Sequence, residues 1–148
     1  MNHQPSTISP FQQPIQIRWN DLDALGHVNN AVFITYFEMA RGPYMMAASS
    51  TWDWSEHMFL IGHVEASFQR ELTFRDRDPR VEVRTTRLGG KSFDIRYRVL
   101  STGATGEEVV HATGTTTQVM FDTPSRRTIA IPDWLRNDLE AFEGGIEG

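Results

Sequence analysis

Polar and apolar positions change period along the chain. Ile15, Ile17 and Trp19 alternate with Gln16, Arg18 and Asn20, which predicts a half-buried strand over residues 15–20. Asp21, Asp23, Gly26, Asn29 and Asn30 break that run with residues that favour turns and helix caps. From about Asn30 the period becomes helical: Val32, Phe33, Tyr36, Phe37, Ala40, Tyr44 and Ala47 fall on one broad stripe. Asn30 is the expected cap. Glu38 and Arg41, three apart, are expected to pair off the stripe. Pro43 deletes a helical hydrogen bond, so a kink or the start of a second helix is expected there.

Downstream the period returns to two. Residues 47–57 read as a connector and residues 58–74 as one long strand, with a bulge at Gly62 or within 65–67. A turn at residues 76–79 leads to Val81, Val83 and Thr85, which alternate with Glu82, Arg84 and Thr86. Gly89-Gly90 marks a hairpin, and Phe93, Ile95, Tyr97 and Val99 alternate beyond it. After a turn at residues 102–106, residues 108–122 form a long strand rich in Thr and Val. Pro132 opens a short C-terminal helix over residues 132–143. The polar, proline-bearing stretch 1–13 reads as a flexible or extended lead-in that docks only near its end, through Phe11. Residues 1–148 are thus expected to form one α+β domain, a long antiparallel β-sheet wrapped around one central α-helix. A single sheet of this kind leaves an edge, which a second copy would cover, so a homodimer or larger homo-oligomer is expected.

Composition narrows the possibilities only a little. A formal charge of -5 argues against a nucleic-acid partner. With no cysteine, disulfides and thiolate metal sites are excluded. No apolar run reaches the roughly 18 residues of a membrane span, and the N-terminus has no signal-peptide pattern, so no membrane partner is expected and a cytoplasmic location is. His57, His63 and His111 lack metal-site spacing, and no metal or other cofactor is expected.

The string Asp21-Leu22-Asp23-Ala24-Leu25-Gly26-His27-Val28-Asn29-Asn30, followed by Tyr36-Phe37-Glu38-Met39-Ala40-Arg41, resembles the hotdog-fold acyl-CoA thioesterases of the 4-hydroxybenzoyl-CoA thioesterase type. The resemblance spans roughly residues 15–121. It implies a hotdog fold, dimerisation and hydrolysis of an acyl-CoA thioester, with coenzyme A entering as part of the substrate. It also implies that Asp23 is the catalytic carboxylate, that backbone N–H groups of Asn29, Asn30 and Ala31 polarise the thioester carbonyl, and that Lys91 and Ser92 contact coenzyme A. In the aromatic-substrate branch the helix start carries an aromatic residue and a proline. Here it reads Asn29-Asn30-Ala31, which departs from an aromatic preference.

The chemistry of the residues fits that role. A carboxylate can attack a thioester or activate water, and a helix N-terminus offers free N–H donors to a developing oxyanion. Asp23 can equally make an Asx turn or cap the helix. Asp21 is the rival carboxylate, expected to orient rather than react, and His27 is a possible supporting acid or base. Lys91 and Ser92 suit a phosphate but also suit a solvated hairpin, and Arg126 and Arg127 could extend that basic surface. Trp52 and Trp54 could line an acyl site or pack in the core or a dimer interface. Two alternatives remain beside the thioesterase: an acyl-thioester hydratase or dehydratase, and a non-catalytic acyl-CoA-binding hotdog protein.

Overall fold

The computed structural model describes residues 10–146. Its elements are β1 (Phe11–Pro14), α1 (Asn30–Ala48), β2 (Met58–Phe68), β3 (Arg77–Leu88), β4 (Ser92–Thr102), β5 (Glu108–Asp122), β6 (Arg127–Thr128) and α2 (Asp133–Glu143), with one 3-10 turn at Trp19–Asp21. The strands pair antiparallel in the order β1-β3-β4-β5-β2, and β6 lies against the end of β5. This is the hotdog arrangement: one antiparallel sheet around the long helix α1.

The core lies between the two. Phe33, Tyr36, Phe37, Ala40, Tyr44, Met45 and Ala48 of α1 are buried. They meet Val81 and Val83 of β3 and Phe93, Ile95, Tyr97 and Val99 of β4, all on the inner face set by the strand period of two. Phe37 stacks on Tyr97 with ring centroids 4.7 Å apart. Each such fully buried side chain contributes about 1.5–3 kcal/mol relative to leaving it exposed. Gly114 of β5 lies beneath Phe37, where a Cβ would stand 2.3 Å from the ring.

Several expectations are corrected. The N-terminal strand is Phe11–Pro14, not residues 15–20, and it pairs with β3 from Phe11↔Val83 to Pro14↔Arg80. The Ile15 N–H still donates to the Pro79 carbonyl at 2.9 Å, and Ile15 and Ile17 are buried, but the chain then curls into the 3-10 turn. The lead-in therefore ends by residue 10, and Phe11 packs edge-on against Tyr44; residues 1–9 of that stretch lie outside the described residues. α1 runs through Pro43 without a break, with Pro43 on the exposed side. Its N-cap is Asn29, not Asn30. Ala47 is exposed, and Met45 and Ala48 take the buried positions instead. Arg41 does not turn to Glu38; its guanidinium donates to the Tyr97 hydroxyl at 3.2 Å. The long strand stops at Phe68, because the N–H groups of Gln69 and Arg70 both converge on the His111 carbonyl and bend the chain under the start of α1. The bulge does fall at Gly62, between Ile61 and His63. β2 forms one edge of the sheet, and Met58, Leu60, Ile61, Val64 and Phe68 along it are exposed.

Candidate active site

Residues 18–29 form a tight crossing stitched to the start of α1. Asp21 is buried there. Its Oδ2 accepts the Arg18 N–H at 2.9 Å and the Tyr36 hydroxyl at 2.8 Å, and its Oδ1 accepts the Arg18 guanidinium at 3.2 and 3.3 Å. Burial pushes this carboxyl up, but the Arg18 N–H, the Tyr36 hydroxyl and the Arg18 charge together outweigh it and hold Asp21 below the usual carboxylate range. Burial and the Asp21 contact push the Tyr36 hydroxyl well up. Both oxygens of Asp21 are thus engaged.

Asp23 is exposed and differently held. Its Oδ1 accepts the Leu25 N–H at 2.9 Å and the His27 N–H at 3.1 Å. Its own N–H donates to the His27 carbonyl at 2.7 Å, and its carbonyl accepts the Gly26 N–H at 3.0 Å. Gly26 sits at φ +81°, a conformation that strains any other L residue. The aspartate-x-x-glycine spacing is therefore what closes the turn, with Asp23 as its Asx residue. Its Oδ2 has no hydrogen-bond partner among the described residues.

Asp23 lines a cleft of about 890 Å³. Trp19, Leu22, Leu25 and Phe74 supply apolar walls, and His27, Glu71, Thr73 and Arg75 supply polar ones. The Trp19 and Phe74 rings stack 6.4 Å apart at an interplanar angle of 17°. His27 Nε2 lies 3.2 Å from Glu71 Oε2.

The Glu71 segment is pinned from beneath. The Leu72 carbonyl accepts the Val28 N–H at 2.8 Å, and His111 Nδ1 stands 2.8 Å from the Glu71 carbonyl. A carbonyl only accepts, so Nδ1 carries the proton, and Nε2 accepts from the Ser101 hydroxyl at 2.7 Å. His111 and Ser101 are both buried. Glu71 escaped the sequence reading: it lay in a stretch expected to continue a strand, and nothing in its local pattern marks it. Only the bend after Phe68 carries it to His27.

Of the three helix-start amides, that of Asn29 is taken by the Asp21 carbonyl at 2.9 Å and that of Ala31 by the Asn29 side chain at 2.9 Å. The Asn30 N–H has no partner among the described residues. These three residues adjoin the Asp23 turn but do not line the cleft.

Lys91, the only lysine in the chain, is exposed on the turn between β3 and β4. The Ser92 hydroxyl accepts from Arg87 at 3.0 Å, and Arg136 donates to the Gly89 carbonyl of the same turn at 2.7 Å. This turn lies at the far end of β5 from Asp23. Ser92 stands opposite Val119, whereas Phe68 stands opposite Ala112, a separation along β5 of roughly 23 Å. One chain does not bring Lys91 and Ser92 to Asp23. Arg126 and Arg127 are exposed at the β5–β6 turn. Trp52 is buried, with Trp54, His57, Phe59 and Trp134 around it. It follows Ser49, the C-cap of α1, and so packs at the opposite end of that helix from Asp23. Among the described residues no group of three or more His, Asp or Glu side chains could hold a metal ion, and no helix is long and apolar enough to cross a membrane.

The chain belongs to the thioesterase-like superfamily, whose family model matches residues 17–139. Among solved structures, it is similar to a thioesterase from Thermus thermophilus complexed with coenzyme A and Zn, at 33% identity and a TM-score of 0.74, covering 90% of this chain and 93% of that one. It is also similar to the PA5185 protein from Pseudomonas aeruginosa strain PAO1, at 27% identity and a TM-score of 0.78, covering 93% and 94%. A 4-hydroxybenzoyl-CoA thioesterase variant complexed with 4-hydroxybenzoyl-CoA shares the fold at 18% identity and a TM-score of 0.76, covering 88% and 97%. The uncharacterized protein YsmA of Bacillus subtilis (strain 168) is 23% identical over 87 residues, a match spanning 59% of this chain and 58% of YsmA.

Proposed function

We propose that this protein is an acyl-CoA thioesterase that releases a free acid and coenzyme A, with Asp23 as its reactive carboxylate. One observation carries the reading. Asp23 is anchored through one oxygen by two N–H donors while its other oxygen is left unengaged at a cleft. A carboxylate held in this way can attack the thioester carbonyl or activate a water for that attack. The unpartnered Asn30 N–H, at the positive end of α1, lies outside the cleft lining but adjoins the Asp23 turn, and it is the free donor offered to a developing oxyanion there. The acyl chain would lie along Leu22, Leu25 and the Trp19–Phe74 pair.

Lys91 and Ser92 stand roughly 23 Å along β5 from the end of the sheet that carries Asp23. The reading includes a homodimer formed over the exposed apolar edge of β2, with the second copy supplying Lys91 and Ser92. No resident cofactor has a part in this chemistry.

The test is thiol release from short, long and aromatic acyl-CoA esters by the wild type and by Asp23→Asn. The wild type should cleave at least one class, and the variant should lose most turnover while keeping its circular dichroism and Tm. Undiminished turnover in the variant would place the reactive group elsewhere. The His27–Glu71 pair is the one observation favouring a second reading, an acyl-thioester hydratase, since such enzymes pair a histidine with a carboxylate. An enoyl-CoA separates the two: hydration keeps the thioester, and hydrolysis frees a thiol.

A further inference from the structure

We infer that Glu71 is a positioning residue of the reaction, acting through His27, and that the pair handles the proton of the leaving sulfur. The inference rests on the thioesterase reading and adds to it a proton path that Asp23 alone does not provide.

Asp23, His27 and Glu71 line one cleft and are joined in sequence. The His27 N–H donates to Asp23 Oδ1, and His27 Nε2 lies 3.2 Å from Glu71 Oε2. His27 is thus bound at its backbone N–H by one carboxylate and faces the other at its ring. A carboxylate at that distance faces Nε2 and offsets positive charge on the ring whenever both nitrogens hold protons. The second ring nitrogen, Nδ1, is then the one that exchanges a proton.

The placement of Glu71 is built, not incidental. Its side chain is largely exposed, so burial does not hold it. Its backbone is fixed by the buried Ser101–His111 pair, and the Leu72 carbonyl next to it is fixed by Val28. Those bonds bring the segment at residues 71–72, beyond the end of β2, against residues 27–28 and set the carboxylate beside the ring.

The step balances. As the carbonyl carbon gains its bond to oxygen, the C–S bond breaks and its electron pair goes to sulfur. Sulfur takes the proton from His27 Nδ1, and the water consumed in hydrolysis restores that proton to the ring. The products are the acid and the thiol.

The test uses Glu71→Gln, His27→Asn and the double variant, with the acyl-CoA ester that the wild type cleaves fastest. Glu71→Gln should lower kcat by about tenfold or more with KM within about twofold, and it should leave Tm unchanged because an exposed ion pair adds little to stability. In the His27→Asn background it should cost nothing further. Full kcat in Glu71→Gln, a change confined to KM, or independent multiplication of the two losses would overturn the inference while leaving Asp23 as the reactive carboxylate. A wild type that cleaves no acyl-CoA, with Asp23→Asn indistinguishable from it, would overturn both.

Discussion

The Tyr36 hydroxyl donates to Asp21 Oδ2 at 2.8 Å, tying the second turn of the buried helix to the crossing that carries Asp23. The contact divides the two aspartates of the motif. Asp21 is buried and engaged at both oxygens, and Asp23 is exposed and engaged at one. Asp21 is charged when folded and held below its ordinary value of 3.8. A carboxyl lowered on folding stabilises the native state above its unfolded pKa, and that contribution is lost as pH falls through the folded value. Asp21→Asn should therefore cost roughly 1–3 kcal/mol near neutral pH, because its amide cannot accept from every donor that the carboxylate meets. The gap in Tm between wild type and variant should close below about pH 4. Parallel Tm curves from neutral to acid pH would show that Asp21 is not the linked group.

Gly114 gives a second stability test. A Cβ at this position would lie 2.3 Å from the Phe37 ring and 2.9 Å from the Glu65 carbonyl, so both side chain and backbone resist it. Phe37 is fully buried and stacked on Tyr97, with no room to retreat. Gly114→Ala should destabilise by roughly 1–3 kcal/mol. Phe37→Leu in the same chain should recover part of that loss, since the shorter side chain vacates the contact. Urea melts of the two single variants and the double variant measure this coupling, and strict additivity would mean that Phe37 is not what the methyl meets.

What the sequence disclosed followed from local chemistry. The helical stripe of α1, the alternation of β3 and β4 and the hairpin at Gly89-Gly90 are each written within sixteen residues or fewer, and each formed, though Ala47 at the end of the stripe is exposed. The turn at Asp23 was equally legible, because an Asx residue and a left-handed glycine at fixed spacing need no distant partner. What failed depended on partners far along the chain. β1 lies where β3 offers a register, not where alternation is clearest. The strand expected to run through residue 74 is bent by the His111 carbonyl, some forty residues later, and that bend creates the Glu71–His27 contact. Arg41 preferred the Tyr97 hydroxyl to its neighbour Glu38 for the same reason.

The outer face of the sheet yields a prediction of opposite sign. Arg84 and Arg96 stand directly opposite each other on β3 and β4, both exposed. Neighbouring Arg98 is bonded to Glu82 and Glu108, and Arg87 to Asp94; Arg84 and Arg96 have no carboxylate in such reach among the described residues. Like charges directly opposite destabilise a sheet, so Arg84→Thr should raise stability by roughly 0.2–1 kcal/mol. The gain should shrink as salt is added. Arg98→Thr should instead lower stability, because it strips the buried Glu82 of its bidentate partner. Equal effects from the two substitutions would mean that pairing across the strands is not what decides them.

The distance between Asp23 and Lys91 within one chain makes a prediction about assembly. If each site takes its carboxylate from one copy and its lysine from the other, the two functions complement across a dimer. Asp23→Asn and Lys91→Ala should each lower thiol release at low acyl-CoA concentration. They do so for different reasons: the first removes the reactive group, and the second raises KM for coenzyme A esters. In a mixed dimer of the two variants, one site carries both lesions and the other carries neither. Unfolding and refolding equal amounts together should therefore restore about a quarter of the wild-type sites, since half the dimers are mixed and each mixed dimer has one intact site. Sites built from a single chain would give no intact site in any combination, and the mixture would then be no more active than the average of its parts. The readout is thiol release at an acyl-CoA concentration well below the KM of Lys91→Ala, where that variant alone contributes least.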